Sequence, residues 1–181
     1  MTMRELIRFK KNALSLLDRT GVFMARKATR TTEEKTPVLL QFFWDRYGVL
    51  PKNIILLDVI SKKIPYIKGE RYDIAVFQRD PEKGAIVSVT VKFGFMEDHN
   101  VERVLAELAR HHKVGLAKDE HKWQIHVSHE RLFPSSNMSI WKRLKLKIYA
   151  MLRHISYPSY YYFQLGKEVN LSMEIMPIML D

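Results

Sequence analysis

Three groups of residues have the types and spacing for chemistry: scattered histidines, an acidic triplet and a run of basic side chains. His121, His126 and His129 lie close in sequence, with His111 and His112 nearby. Imidazole is a common metal ligand. On a strand, though, positions 126 and 129 point to opposite faces. No carboxylate or cysteine stands at a recognised ligand spacing, so no metal site is expected. Glu97-Asp98-His99 has the composition of an acid–base cluster. An aspartate at a helix start has a simpler role, accepting hydrogen bonds from orphaned N–H groups and matching the helix dipole. Asp98 is therefore expected to cap a helix beginning near Asn100.

The basic run lies in a predicted helix over 139–155. Lys142, Arg143, Lys145, Lys147 and Arg153 bring five positive charges with no acid between them. Trp141, Leu144, Ile148, Met151 and Ile155 fall on one stripe at helical spacing. The expected arrangement is a core-facing stripe with a basic back. That back would face solvent or anionic phosphate. Near an anionic leaflet each such charge is worth about 1 kcal/mol. Lys142, Arg143, Lys145 and Lys147 are the candidate phosphate-facing residues. The aromatic segment Ser156–Phe163 follows, read as core closure or as a wall on which a base could stack.

Other chemistry is missing from the residue list. None of the seven glycines forms a G-x-G pair, so no phosphate loop or dinucleotide fingerprint is present. There is no G-x-S-x-G elbow. There is no cysteine, which excludes disulfides, thiol catalysis and cysteine-ligated zinc, and suits a reducing compartment. No cofactor and no enzymatic activity are expected.

The elements that must position these residues read as a mixed α/β layer. The chain has 181 residues, 46% hydrophobic and 28% charged, as in an ordinary folded domain. Residues 3–17 are read as an amphipathic helix, with Lys10 interrupting its apolar face. Residues 1–18 form a basic N-terminal helix in this division, and 19–181 the α/β body. Gly21–Arg26 reads as a strand. Thr36 and Pro37 signal a helix start, and that helix stops at Gly48. The apolar run Asn53–Ile60 reads as a central strand covered on both faces. Strand, helix and strand suggest a right-handed parallel crossover. Tyr72–Gln78 and Ile86–Phe95 form a hairpin turning at Asp80–Gly84, with one face of its second strand the more buried. Phe93, Phe95 and Met96 are expected to be buried where strand meets helix. Strands at Trp123–Ser128 and Val169–Ile175 complete a single-layer mixed sheet with flanking helices.

The charge of +10 is uneven. Residues 1–30 carry a net +6, residues 31–137 a net +1 and residues 138–181 a net +3. Basic segments on a neutral body seek phosphate, on lipid or nucleic acid. No apolar run approaches the length of a membrane span, and the N-terminus lacks the apolar region of a signal peptide. The chain is therefore expected not to carry ions across a bilayer by itself.

Several blocks occur in a telling order: Gly21-Val22-Phe23-Met24, Pro37-Val38-Leu39-Leu40, Val49–Leu57, Ile64-Pro65-Tyr66-Ile67, Phe93-Gly94-Phe95-Met96-Glu97-Asp98 and His129–Pro134. Together they closely resemble the cytosolic C-terminal domain of the KUP/HAK potassium-uptake transporter family, from Arg19 to Met176. The resemblance makes Gly94, Phe95, Met96, Glu97 and Asp98 a structural family motif. It implies a cytosolic regulatory or assembly domain of a potassium-uptake transporter, with K+/H+ symport residing in a membrane unit. It places the chain at the cytoplasmic face of the cell membrane, with residues 1–17 as a tether below the last span. The partners it implies are the transporter's membrane domain, in the same gene or as a separate chain, and an anionic membrane surface. A second copy, as a homodimer, is compatible. Cyclic di-AMP regulates some relatives, but no residue of a binding motif carries over to this chain. The competing reading is a stand-alone nucleic-acid- or nucleotide-binding module, which the neutral body and missing motifs disfavour.

Overall fold

The run Ile54-Ile55-Leu56-Leu57 is wholly apolar, and all four side chains are buried. A strand with alternate side chains on opposite faces can be buried in this way only if both faces are covered. The fold, described here from a computed structural model, supplies that cover. The structure describes residues 1–111, 123–134, 141, 144, 145, 148, 149, 151, 152 and 170–180.

The elements run α1 (Met3–Asn12), β1 (Leu17–Ala25), α2 (Val38–Tyr47), β2 (Pro51–Lys62), β3 (Tyr72–Asp80), β4 (Gly84–Gly94), α3 (Val101–His111), β5 (Trp123–Pro134) and β6 (Asn170–Leu180). The strands form one mixed sheet in the order β3-β4-β2-β1-β5-β6. β1 and β2 are parallel neighbours, with Val22 opposite Ile55 and Phe23 opposite Leu56. β4 lies parallel to β2, and β5 parallel to β1. Among the described strands only β3 runs antiparallel, forming the hairpin with β4. β6 extends the other edge, parallel to β5 over the whole strand.

Alternation along the strands divides the core into two layers. Val22, Ile55, Leu57, Val87, Val89, Trp123 and Ile125 pack with Val101, Val104, Leu105 and Leu108 of α3. Phe23, Ile54, Leu56 and Ile86 pack on the other face with Met3 and Leu6 of α1 and with Leu39, Leu40 and Phe43 of α2. β4 is therefore buried on both faces, including Ile86, Ser88 and Thr90, rather than on one. It is an interior strand, so helices cover it from each side.

Two helices differ from expectation, α1 at its end and α2 at its start. α1 ends at Asn12 instead of running to 17, because Leu17 has joined the sheet and its N–H donates to the Leu50 carbonyl at 3.0 Å. A capping box starts α1: Thr2 Oγ1 accepts the Glu5 N–H, and a Glu5 carboxylate oxygen accepts the Thr2 N–H at 2.7 Å. At α2, Pro37 itself occupies the cap position and no side chain caps the helix. The Thr36 hydroxyl is buried without a hydrogen-bond partner, because the Thr36 backbone is drawn in by its N–H bond to the Met1 carbonyl at 3.1 Å.

Candidate functional site

The corner after β4 is built on one carboxylate. Gly94 ends the strand beneath the segment around Pro65. A Cβ at Gly94 would lie 2.1 Å from the Pro65 carbonyl oxygen, so only glycine permits this approach. The backbone is then tied across: the Phe95 N–H donates to the Ile64 carbonyl at 2.9 Å, and Met96 N–H to the Pro65 carbonyl at 3.1 Å. Glu97 closes the turn. Its carboxylate accepts the Gly94 N–H at 2.7 Å, the Ile67 N–H at 3.3 Å and the Arg71 guanidinium at 2.7 Å. The Gly94 amide is the largest of the influences that hold the Glu97 carboxyl below its ordinary range; the Ile67 amide and Arg71 add to it.

Phe93 is the apolar root of this corner. It is buried, with Arg71 5.5 Å over its ring and the His99 ring 4.8 Å away. His99 Nε2 also lies 2.9 Å from Ser61 Oγ. Phe95 and Met96 are not buried, contrary to the sequence expectation: each is 60% exposed. The turn that Glu97 closes points them outward, since the space behind is already filled by Phe93 and the Pro65 segment. Ile64 and Tyr66 are exposed on the tied segment opposite. Ile64, Tyr66, Phe95 and Met96 are thus apolar groups held out by one rigid corner, which is what an interaction surface requires.

Asp98 does not occupy the cap position of α3. The helix begins at Val101, and Asn100 Oδ1 accepts the Arg103 N–H at 2.8 Å. The helix therefore starts two residues later than a cap at Asp98 would require. Nothing in the bare sequence favoured one acceptor strongly, because Asp98 and Asn100 are both good caps.

His126 proves to be a core residue. It stacks on Phe23 at 4.6 Å and meets Phe43 edge-on at 4.9 Å. Neither ring nitrogen has a hydrogen-bond partner, and burial pushes its pKa down to about 4. Among the described residues, no group of three or more His, Asp or Glu side chains could hold a metal ion. His112, His121 and the His129 side chain lie outside the described residues, as does the segment Ser156–Phe163.

Lys10, which interrupts the apolar face of α1, is buried rather than exposed. Its stem lies in the core and its ammonium donates to the Ala85 carbonyl at 3.1 Å. Burial pushes its pKa down to about 8, against a partial opposing pull from Asp80. At the other edge of the sheet, the buried Glu174 carboxylate of β6 accepts from Arg46 at 3.0 Å and from the Tyr47 hydroxyl at 3.4 Å. The last strand is thereby tied to α2. Sequence reasoning found neither anchor, since contacts so distant along the chain leave no local spacing to read.

Of the basic run, Lys145 is helical and exposed, while Lys142, Arg143 and Lys147 lie outside the described residues. Trp141, Leu144, Ile148 and Met151 are helical too, but they do not face the core. Trp141 is 74% and Met151 67% exposed. Among the described residues, both core layers are covered by α1, α2 and α3 and include none of these side chains.

The architecture is that of an α/β domain with a parallel centre, one antiparallel edge and a clamped strand-end corner; among the described residues no helix is long and apolar enough to cross a membrane. The family described as the K+ potassium transporter C-terminal domain matches residues 18–175. The chain belongs to that family. No curated protein matches the chain, and no solved structure does.

Proposed function

We propose that this chain is a cytosolic regulatory and assembly domain of a potassium-uptake transporter, working at the cytoplasmic face of the cell membrane. Transport, with K+/H+ symport as the expected mode, belongs in this reading to a membrane unit encoded with the domain or supplied as another chain. The observation that carries the proposal is the corner Gly94–Glu97. It presents Phe95 and Met96 to solvent on a backbone clamped by Glu97, within the matched region. A protein keeps large apolar groups exposed on a rigid turn at a cost in solubility, which a docking partner offsets. The partner assigned to this corner is the transporter's membrane unit.

The test pairs stability with transport. Phe95→Ser together with Met96→Ser should leave thermal stability nearly unchanged, because the side chains are mostly exposed. In cells that depend on the transporter, the same variant should weaken recovery of the domain with the membrane unit and alter potassium uptake. Unaltered uptake and unaltered association would remove the proposal.

A further inference from the structure

The helical residues between 141 and 152 present a second exposed apolar surface, remote in sequence from the corner. Trp141, Leu144, Ile148, Tyr149, Met151 and Leu152 are all helical and all exposed. At 100° per residue they fall on one arc of about 160°, which also carries the exposed Lys145 between Leu152 and Tyr149. The stretch is about 17 Å long at 1.5 Å per residue, far short of a bilayer's hydrocarbon thickness. A helix of this length could enter a bilayer only by lying in its surface, not by crossing it.

Charge decides among the covers. No acidic residue occurs between Glu130 and Glu168. Lys142, Arg143, Lys145, Lys147 and Arg153 all fall in that interval. A second copy docking through the same arc about a two-fold axis would bring two acid-free basic stretches together, and they would repel. An anionic lipid leaflet offers both complements, headgroup phosphate for the lysines and arginines and acyl chain for the arc. Tryptophan and tyrosine suit the boundary, having an apolar ring and a polar tip.

We infer that the described helical residues between 141 and 152 seat their apolar arc in the headgroup boundary of an anionic membrane, in the plane of its surface, with Trp141 inserted. The inference rests on the proposed position at a membrane only for the choice of leaflet. Its test uses the chain and lipid alone, so its failure would leave the transporter reading standing, and the reverse holds too.

The experiment is vesicle binding by the full 181-residue chain, with phosphatidylcholine vesicles compared with phosphatidylcholine–phosphatidylglycerol vesicles. The expected result is binding to the anionic vesicles, with a blue shift and bromolipid quenching that Trp141→Phe removes while Trp44 and Trp123 stay. Ile148→Ser with Met151→Ser should weaken binding roughly tenfold or more, because acyl contact is lost while charge is kept. Lys142, Arg143, Lys145 and Lys147 all changed to Gln should erase the preference for anionic lipid and its salt dependence. Near-ultraviolet circular dichroism identifies any variant that fails to fold, and Trp141 quenching in the unaltered chain stands whatever the variants do. No binding to anionic vesicles overturns the inference, as does equal binding to neutral ones. So does binding that ignores Ile148→Ser/Met151→Ser, or a dimer that this variant dissociates in the absence of lipid.

Discussion

The Glu97 carboxylate accepts the Gly94 N–H at 2.7 Å, three residues back along the chain, and so closes the turn from which Phe95 and Met96 project. A second oxygen of the same group holds Ile67 and Arg71. One side chain therefore joins the end of β4 to the segment that follows β2, and the exposure of Phe95 and Met96 depends on it.

Replacing Glu97 with Ala should loosen this corner without unfolding the sheet. Two backbone amides and a guanidinium lose their acceptor, and the region is only partly buried, so the expected cost is about 1–3 kcal/mol. Amide hydrogen exchange at Gly94 and Ile67 should accelerate by more than exchange in β2. Protection unchanged at both amides would show that the turn is held by something else.

His126 predicts an acid limb in stability. Its folded pKa is about 4, against an ordinary 6.5. Between those values the unfolded chain binds the proton and the folded chain does not, so stability falls as pH drops from 6.5 toward 4. The loss from this one group approaches roughly 3 kcal/mol at the lower end. His126→Phe keeps the aromatic stack with Phe23 and removes two unpartnered nitrogens. Subtracting the variant's denaturant-unfolding curve from that of the unaltered protein should isolate this slope between pH 4 and 6.5. Parallel curves across that window would place the ring in water.

Lys10 predicts the opposite end of the pH scale. Its folded pKa of about 8 lies below the ordinary 10.5. Both states are protonated below pH 8, so the cost of the buried charge is fully present there. Between 8 and 10.5 only the unfolded chain keeps the proton, and stability rises with pH, by up to roughly 3 kcal/mol. Lys10→Met should lack this rise and should be at least as stable as the unaltered protein at pH 7, since a buried charge is removed from an otherwise apolar face. Equal pH dependence of the two proteins from pH 7 to 11 would show Lys10 to be solvated.

Local signals in the chain determined most of the secondary elements, the hairpin of β3 with β4 and the parallel pairing of β1 with β2. The apolar run Ile54–Leu57 marked a strand covered on both faces, Asp80–Gly84 marked the hairpin turn, and Gly48 marked a helix end. Each depends on backbone preferences and periodicities that act within a few residues. The order of blocks from Gly21 through Phe93–Asp98 also disclosed the family. Only the tertiary structure decided which way the special side chains face. Phe95 and Met96 look like core residues because aromatic and thioether groups usually are. They stand in solvent because Gly94 lets Pro65 close over the strand and Glu97 turns the chain outward. Lys10 and His126 look like surface or site residues because they are polar, yet the sheet's two layers enclose them. Trp141 and Met151 share a helical stripe that in sequence cannot be told from a core face. Burial is a property of what arrives from elsewhere in the chain, and among the described residues α1, α2 and α3 are what cover the two sides of the sheet.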